Sequence, residues 1–238
     1  MSRAGADVPV ATALGGGRIT LQVDEKLFVK DPTSSALGLN IIEHGILLLD
    51  EIGYEDFTFR KLAERIETTE ASVYRYFRSK HLLLLYLTSY YWGWMEYRID
   101  LATRNIESAE ARLRLALREL TQPITNDEST PRIDEAALYR VLISESSKTY
   151  LQRGVDAENR EGLFRSYKRL CRSVADVIVE INPAYEYPVA LVSTVVESSH
   201  RQKYFAEHLP SLTEVKLPTA HRSTTAFLTE LVFQAIAR

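Results

Sequence analysis

One stretch, Phe57–Leu84, constrains the fold more than any other part of the chain. It reads FTFRKLAERIETTEASVYRYFRSKHLLL, and Thr58, Thr69 and Ser79 each precede a run with helical spacing. Thr and Ser side chains cap helix N-termini because they accept a hydrogen bond from a free backbone N–H. The stretch therefore predicts short helices separated by a tight turn. The expected elements are a helix at 59–66, a turn at 67–68, a second helix at 70–77 and a third helix from 80.

Almost all other segments also have a helical period. Apolar residues recur three or four positions apart, and prolines interrupt the pattern, as in the loop Gln122–Arg132. We therefore predict an all-α fold. The remaining predicted helices are Ser34–Ile52, Lys80–Thr103, Ala109–Thr121, Asp134–Leu151, Glu158–Glu180, Glu186–His208 and Thr219–Ala237.

The N-terminal segment is the exception to this pattern. Residues 1–17 are small and Gly-rich, which predicts a flexible leader. Arg18–Lys30 alternates apolar and polar residues, which favours a short extended arm or hairpin. We expect this arm to pack on the body rather than to reach DNA.

Charge is distributed unevenly along the chain. The net charge is -3, yet six cations and three anions lie between Thr58 and Leu82. A DNA-binding face on an acidic protein has this distribution, and so does an ordinary solvated helical surface. The single cysteine, Cys171, excludes a disulfide framework within the chain. The most apolar run, Leu82–Met95, is shorter than the ~20 residues that span a bilayer, so we expect a cytoplasmic protein with no membrane partner.

The polar residues at the start of the second short helix are suited to reading DNA. The N-terminal residues of a recognition helix face base edges in the major groove. Thr68, Thr69 and Ser72 are short and can donate to phosphate or to base edges. Phosphates repel the charge of Glu70, so this residue either caps its own helix or accepts a hydrogen bond from a cytosine amine.

A second group of residues is suited to the DNA backbone. Arg60 and Lys61 lie on the preceding helix, where they can contact phosphate. Tyr74 and Tyr76 can reach phosphate through their hydroxyls. Lys80 combines a cation with the free backbone N–H groups at the start of the next helix, which is a good phosphate site.

The stretch from Thr58 to Leu84 resembles the N-terminal helix-turn-helix of the TetR/AcrR transcriptional regulators. The spacing matches without insertion from Ala63 to Lys80, and the resemblance covers about residues 33–85. The matching features are Thr58, Leu62-Ala63, Thr69, Tyr74-x-Tyr76-Phe77, and Ser79-Lys80 followed by Leu82-Leu83.

The resemblance implies a three-helix DNA-binding head and a larger helical body for ligand binding and dimerisation. It divides the chain into a leader and arm at 1–32, a head at 33–85 and a body at 86–238. Members of the family are usually homodimers that bind a palindromic operator on double-stranded DNA, and most are repressors released by a small molecule. The DNA-facing positions by match to the family are Arg60, Glu70, Ala71, Ser72, Tyr74, Tyr76 and Lys80. The complete predicted set adds Thr58, Lys61, Thr68 and Thr69.

The turn departs from the family pattern at Glu67, where the family usually has glycine. If this position needs a positive φ, glutamate costs free energy that glycine would not. A different local turn would change the angle of the recognition helix.

The candidate ligand-binding residues come from the aromatic part of the third helix and from the body. Tyr90–Arg98 contains both tryptophans, and such a run is either protein core or the wall of a pocket. In the resembled family this helix links head and body, so its shift sets the distance between two heads. The candidate set is Trp94, Met95, Tyr97, Arg98, Tyr139, Phe164 and Tyr167.

The last two helices are the predicted dimer interface. The resemblance implies a four-helix bundle across a two-fold axis, whereas the residues alone would indicate monomer core. The apolar candidates are Val189, Val192, Val196, Phe227, Leu228, Leu231 and Val232.

Motifs for catalysis are missing from the sequence. It contains no Gly-rich phosphate loop, nucleophile elbow or HExxH. Cys171 lies among apolar residues, which indicates an inert thiol. Glu197-x-x-His200 and His208 lack metal-ligating partners on another helix. We therefore predict no enzyme, cofactor or metal site. The resemblance implies a DNA-binding transcriptional regulator, a repressor released by a small-molecule ligand. The alternatives are a helical interaction module with a vestigial head and an all-α enzyme that uses the aromatic body.

Overall fold

The structure, a computed structural model, describes residues 11–13, 19–217 and 219–237. Within them the regular structure is almost entirely helical, which confirms the all-α prediction. The predicted leader, apart from 11–13, and Arg18 lie outside the described residues. The helices are α1 Ala36–Asp56, α2 Phe59–Arg65, α3 Glu70–Tyr74, α4 Lys80–Thr103, α5 Ala109–Thr121, α6 Glu135–Ser144, α7 Ser146–Tyr150, α8 Val155–Glu161, α9 Arg165–Ile181, α10 Pro188–His208 and α11 Ala220–Ile236.

Two short strands form an N-terminal hairpin, and its first strand lies within the segment that was predicted to be a flexible leader. Strand β1, Ala11–Ala13, pairs antiparallel with β2, Ile19–Leu21. The extended pattern ends earlier than predicted, because a 3-10 turn at Glu25–Leu27 follows. A second 3-10 turn at Pro32–Ser34 leads into α1.

Polar caps define where several helices begin. Ser108 accepts a hydrogen bond from the backbone N–H of Ala111 at the start of α5, and Asp134 accepts one from Ala137 at the start of α6. Such caps satisfy backbone donors that have no partner inside the helix. Two predicted helices are each observed as a pair, α6 with α7 and α8 with α9. None of the helices in the described residues is long and apolar enough to cross a membrane.

The chain forms two compact units. The first contains residues up to Trp94 together with 124–166, and the second contains 95–123 together with 167 onwards. In the first unit α1 packs on α6 and α2, and α2 packs on α3. In the second unit α10 and α11 pack on each other and on α5. The predicted domain boundary at residue 85 stays a prediction.

Apolar side chains fill the core of each unit. Burying one Leu, Ile or Phe side chain stabilises the folded state by about 1.5–3 kcal/mol. The buried residues of the first unit include Ile41, Ile46, Leu62, Val73, Phe77 and Leu83. Those of the second include Leu113, Leu117, Val174, Ile178, Val195 and Leu228.

Two glycines of α1 give opposite predictions for the same substitution. A Cβ at Gly38 would lie 2.2 Å from the backbone oxygen of Pro32, whereas a Cβ at Gly45 would lie 3.5 Å from Leu83 Cδ2. Gly38→Ala should destabilise the fold by about 1–3 kcal/mol because the backbone must move. Gly45→Ala should be neutral or stabilise by up to about 1 kcal/mol, because alanine favours a helix. Urea unfolding followed by circular dichroism at fixed protein concentration measures both, and equal effects would contradict the close approach at Gly38.

Candidate nucleic-acid interface

Three hydroxyl caps position the short helices of the head. Thr58 Oγ1 accepts from the Lys61 N–H at 3.2 Å, and Thr69 Oγ1 accepts from the Ser72 N–H at 3.3 Å. Ser79 Oγ accepts from the Leu82 N–H at 3.2 Å. The caps predicted from the sequence are therefore confirmed, and they fix where α2, α3 and α4 begin.

The turn between α2 and α3 keeps a regular geometry despite Glu67. Glu67 has a φ of 52°, in the left-handed region that favours glycine. The Thr68 N–H donates to the Ala63 carbonyl at 2.9 Å, and the Glu67 N–H donates to the Glu64 carbonyl at 3.4 Å. These two bonds form the Schellman pattern that ends many helices. Residue 67 therefore does need a positive φ, which the sequence analysis raised as a possibility. Glutamate adopts this conformation at a cost in free energy.

Most of the predicted DNA-facing residues lie on the outer surface of α2 and α3. The exposed ones are Thr58, Arg60, Lys61, Thr69, Glu70, Ala71 and Tyr74, and the half-buried ones are Thr68 and Ser72. The ring of Tyr74 packs edge-on against Phe59, 5.0 Å between centroids, which fixes its direction. Thr69, Glu70 and Ser72 follow one another closely in the chain, so the first turn of α3 presents a polar surface. Their contact with DNA stays a prediction.

Thr69, rather than Glu70, caps α3. Its hydroxyl bonds both the Ser72 N–H and the Ser72 hydroxyl, the latter at 2.9 Å. Within the described part of the chain, Glu70 has no hydrogen-bond or ion-pair partner, and its side chain is exposed. The sequence allowed two roles for Glu70, a helix cap or an acceptor for a cytosine amine. Since Thr69 caps α3, only the second of these roles stays a prediction.

Tyr76 differs from its prediction as a phosphate contact. Its side chain is only 3% exposed, and its hydroxyl bonds Ser35 Oγ at 2.7 Å. Lys30 Nζ donates to the same hydroxyl at 3.4 Å. The hydrogen bond with Ser35 lowers the pKa of Tyr76 from its ordinary value. In this conformation the hydroxyl is turned into the protein and is not available to a phosphate.

Lys80 also differs from its prediction. Its ammonium donates to the carbonyls of Tyr54, Glu55 and Phe57 at 2.8, 3.2 and 3.1 Å. The last carbonyls of a helix lack partners inside the helix, and α1 is already interrupted at Gly53, which has a φ of 72°. Lys80 therefore satisfies backbone groups at the end of α1 instead of facing outwards.

Two exposed arginines are missing from the predicted set. Arg75 and Arg78 are exposed and have no ion pair or side-chain hydrogen bond in the described part of the chain. The sequence contained the signal, because the two arginines flank Tyr76-Phe77, and residues on either side of a buried pair point outwards.

The other cations of the head have partners within the protein. Arg60 pairs with Glu64 at 3.0 Å, and Lys61 Nζ donates to the Asp56 carbonyl at 2.8 Å. Arg65 binds both carboxylate oxygens of Glu51, and this contact lowers the pKa of the Glu51 carboxyl. Arg75 and Arg78 therefore provide the positive charge that is most available to a phosphate.

The candidate ligand-binding residues are divided between the two compact units. In the first unit Trp94 and Phe164 are buried. The ring of Tyr91 stacks on Tyr139 at 6.0 Å and lies 5.7 Å from Trp94. Phe164 packs against Tyr150 at 5.7 Å. Trp94 and Tyr139 are thus brought together around Tyr91, while Phe164 contacts a different ring.

In the second unit Met95 is buried, and Tyr97 and Tyr167 are half-buried. The Arg98 guanidinium donates to Glu119 Oε2 from Nε at 3.0 Å and from Nη2 at 2.8 Å. A ligand that approached Arg98 would therefore meet a guanidinium already bound to a carboxylate. A ligand role for these residues stays a prediction.

The predicted dimer residues separate into a buried and an exposed set. Val192, Val196, Leu228 and Val232 are at most 1% exposed, so they belong to the core of the second unit and cannot face a partner in this conformation. Val189, Phe227 and Leu231 are between 39% and 47% exposed. Of the predicted dimer-interface residues, only Val189, Phe227 and Leu231 are therefore exposed enough to contact a partner.

Three buried titratable groups of the second unit have shifted pKa values. Burial raises the pKa of the Cys171 thiol to about 11, which leaves it protonated at neutral pH. Burial lowers the pKa of His200 to about 3 and that of Lys203 to about 8. Among the described residues, no three His, Cys, Asp or Glu side chains are close enough to hold a metal ion.

The head geometry, with a capped short helix that presents polar residues after a tight turn, defines a helix-turn-helix DNA-binding domain. A family model described as bacterial regulatory proteins, tetR family, matches residues 41–87. This match covers most of α1, all of α2 and α3, and the start of α4. Over residues 41–87 this chain is therefore similar to the tetR family of bacterial regulatory proteins.

Solved structures show the same fold at low sequence identity. AibR, in complex with isovaleryl coenzyme A and operator DNA, is 15% identical with a TM-score of 0.56, and the match covers 81% of this chain and 96% of AibR. The TetR family transcriptional regulator PfmR from Thermus thermophilus is 17% identical with a TM-score of 0.52, covering 82% and 97%. A tetR family regulatory protein from Rhodococcus RHA1 is 14% identical with a TM-score of 0.54, covering 87% and 97%. Comparison with curated protein sequences gives no match.

The strain at Glu67 is testable by substitution. Glu67→Gly should stabilise the fold by roughly 1 kcal/mol, because the left-handed conformation costs a non-glycine residue roughly that much. Glu64→Gly, three residues earlier within α2, is the matched control and should destabilise by about 1 kcal/mol, because glycine disfavours a helix. Chemical denaturation of both variants checks the opposite signs. Destabilisation by Glu67→Gly would show that the turn does not require a positive φ at this position.

Proposed function

We propose that the chain acts as a homodimeric repressor that binds a palindromic operator through α2 and α3 and is released by a small molecule. The observation that carries this proposal is the polar surface around α3. Short hydroxyl side chains, the free carboxylate of Glu70 and the available cations Arg75 and Arg78 lie together on a head that matches the tetR family model.

The residues divide by the part of DNA that each can contact. Thr69, Glu70 and Ser72 lie at the start of α3, where a recognition helix meets base edges. Arg75 and Arg78 follow at its end, where a guanidinium can bind a phosphate with two parallel hydrogen bonds. Base contacts give sequence selectivity, and phosphate contacts give affinity and register. Side chains for both kinds of contact are therefore exposed on the head.

Dimerisation would align two such heads on one operator. Three apolar side chains of the second unit are exposed, namely Val189 on α10 and Phe227 and Leu231 on α11. If these residues pair across a two-fold axis, the two heads can occupy successive major grooves roughly 34–36 Å apart. A palindromic site follows from that symmetry.

A ligand would control the repressor by favouring a conformation that misses this spacing. AibR was solved with isovaleryl coenzyme A and operator DNA, and the shared fold supports a ligand-responsive body here. The candidate contacts are Trp94, Tyr139 and Phe164 in the first unit and Met95, Tyr97, Arg98 and Tyr167 in the second. Near-complete release requires the ligand to prefer the released form by about 5.5 kcal/mol. We assign the protein to the cytoplasm, where the DNA is, and give it no catalytic role.

The phosphate role of Arg75 and Arg78 is tested by removing each charge. Arg75→Ala and Arg78→Ala should weaken binding to an operator selected from random double-stranded DNA. The slope of log affinity against log salt should fall by about 0.9 for each phosphate that the variant no longer neutralises. Fluorescence anisotropy across a salt series measures both quantities.

The control for net charge is Arg104→Ala. Arg104 is an exposed arginine of the second unit that pairs with Asp100, and its loss should leave the salt slope unchanged. Unchanged slopes for the Arg75 and Arg78 variants would remove these residues from the interface. Failure of the folded wild-type dimer to select any sequence would instead favour the interaction module.

A further inference from the structure

Tyr76 attaches the end of the recognition helix to the N-terminal segment. It lies two residues beyond Tyr74, the last residue of α3. The Val29 N–H donates to the Tyr76 carbonyl at 2.8 Å, and Lys30 Nζ lies 5.1 Å from the centre of its ring. Backbone and side chain of Tyr76 are therefore both held by the segment that precedes α1.

The same segment is attached at its other end to the corner between α8 and α9. Lys26 Nζ donates to the carbonyl of Glu161, the last residue of α8, at 2.8 Å. The carboxylate of Asp24 lies 3.6 Å from the guanidinium of Arg165, the first residue of α9. Because a helix C-terminus leaves carbonyls without partners, Lys26 completes the end of α8. We call residues 24–30, which carry both attachments, the strap.

The strap is well anchored between its ends. Leu27, between the two attachments, is fully buried. Phe28 packs edge-on against the buried ring of Tyr86 at 6.1 Å. Val29 follows Lys26 closely in the chain, and the backbone between them spans at most roughly 10 Å when extended. The strap therefore has little slack with which to absorb a movement of either end.

The recognition helix needs such support because it is short. Helix α3 contains five residues, Glu70–Tyr74, and helices of this length are not stable on their own. Its direction is therefore set by the contacts that surround it. The Thr69 cap and the turn hold the first end, the buried Val73 and the packing of Tyr74 on Phe59 hold the body of the helix, and Tyr76 holds the second end.

We propose that the strap positions the recognition helix by tying its C-terminal end to the α8–α9 corner. Tyr76 is then a positioning residue rather than a DNA contact, and a movement of the corner is transmitted to α3. The consequence for operator binding rests on the proposed function, whereas the mechanical connection does not.

The test removes the attachment of the strap to Glu161 and measures how well the Val29 amide, at the attachment to Tyr76, is protected from exchange. Lys26→Met removes the donor to Glu161 while keeping the length of the side chain. Loss of a hydrogen bond worth about 1 kcal/mol corresponds to about fivefold faster exchange of the Val29 amide, if that bond holds the strap in place. Hydrogen–deuterium exchange on the full chain measures this amide and those of 72–78. Operator affinity should fall by a similar factor, because α3 must be reoriented before it binds.

Two further variants separate positioning from a general loss of stability. Lys26→Arg keeps a donor and should restore both amide protection and affinity. Lys216→Met makes the same substitution at an exposed lysine of the second unit and should change neither quantity. A uniform increase in exchange across the protein would instead indicate global destabilisation and would overturn the proposal.

The remaining outcomes distinguish this inference from the proposed function. Unchanged protection of Val29 in Lys26→Met would overturn the strap even if the wild type binds its operator normally. Faster exchange at Val29 with unchanged operator affinity would overturn the positioning role. If the wild type binds no DNA selectively, the proposed function fails, and the exchange measurement alone decides the mechanical connection.

Discussion

The ammonium of Lys80 is the contact on which the geometry of the head depends. It binds the carbonyls of Tyr54 and Glu55 at the end of α1 and that of Phe57, which follows α1, while its own backbone begins α4. One cation thus holds the end of α1 at the start of α4 and satisfies backbone carbonyls that need a partner inside the protein. Glu145 adds to this arrangement by accepting from the Tyr54 N–H at 3.1 Å, just after the break in α1. The helix-turn-helix is therefore built around satisfied backbone groups as much as around apolar packing.

The sequence predicted the features of the head that depend on near neighbours. The caps at Thr58, Thr69 and Ser79 involve residues a few positions apart, so pattern and chemistry sufficed, whereas the sequence left open whether Glu67 adopts a positive φ. The roles of Tyr76 and Lys80 depend on partners more than twenty positions away, such as Ser35 and Tyr54. A tyrosine or lysine that can reach solvent and one that is turned inwards look the same in a sequence.

Helical periodicity identified the helices of the body, but it did not show which of their apolar residues are buried within the protein. On α10 both Val189 and Val192 fit a helical stripe, yet only Val192 is buried against the rest of its own unit. The difference arises from packing among α5, α10 and α11, which a period of 3.6 residues does not specify. The sequence also failed to predict the break between α6 and α7, because no glycine or proline marks the end of α6.

The compact unit that contains the head is discontinuous along the chain. It combines the residues up to Trp94 with the later segment 124–166, and salt bridges such as Arg140–Asp50 and Arg132–Glu43 join the two pieces. The strap depends on the later piece as well, since Lys26 ends on Glu161. A chimeric sensor made by fusing this head to a foreign body would therefore have to carry both pieces. In this protein the exchangeable module is a three-dimensional unit rather than a contiguous length of gene.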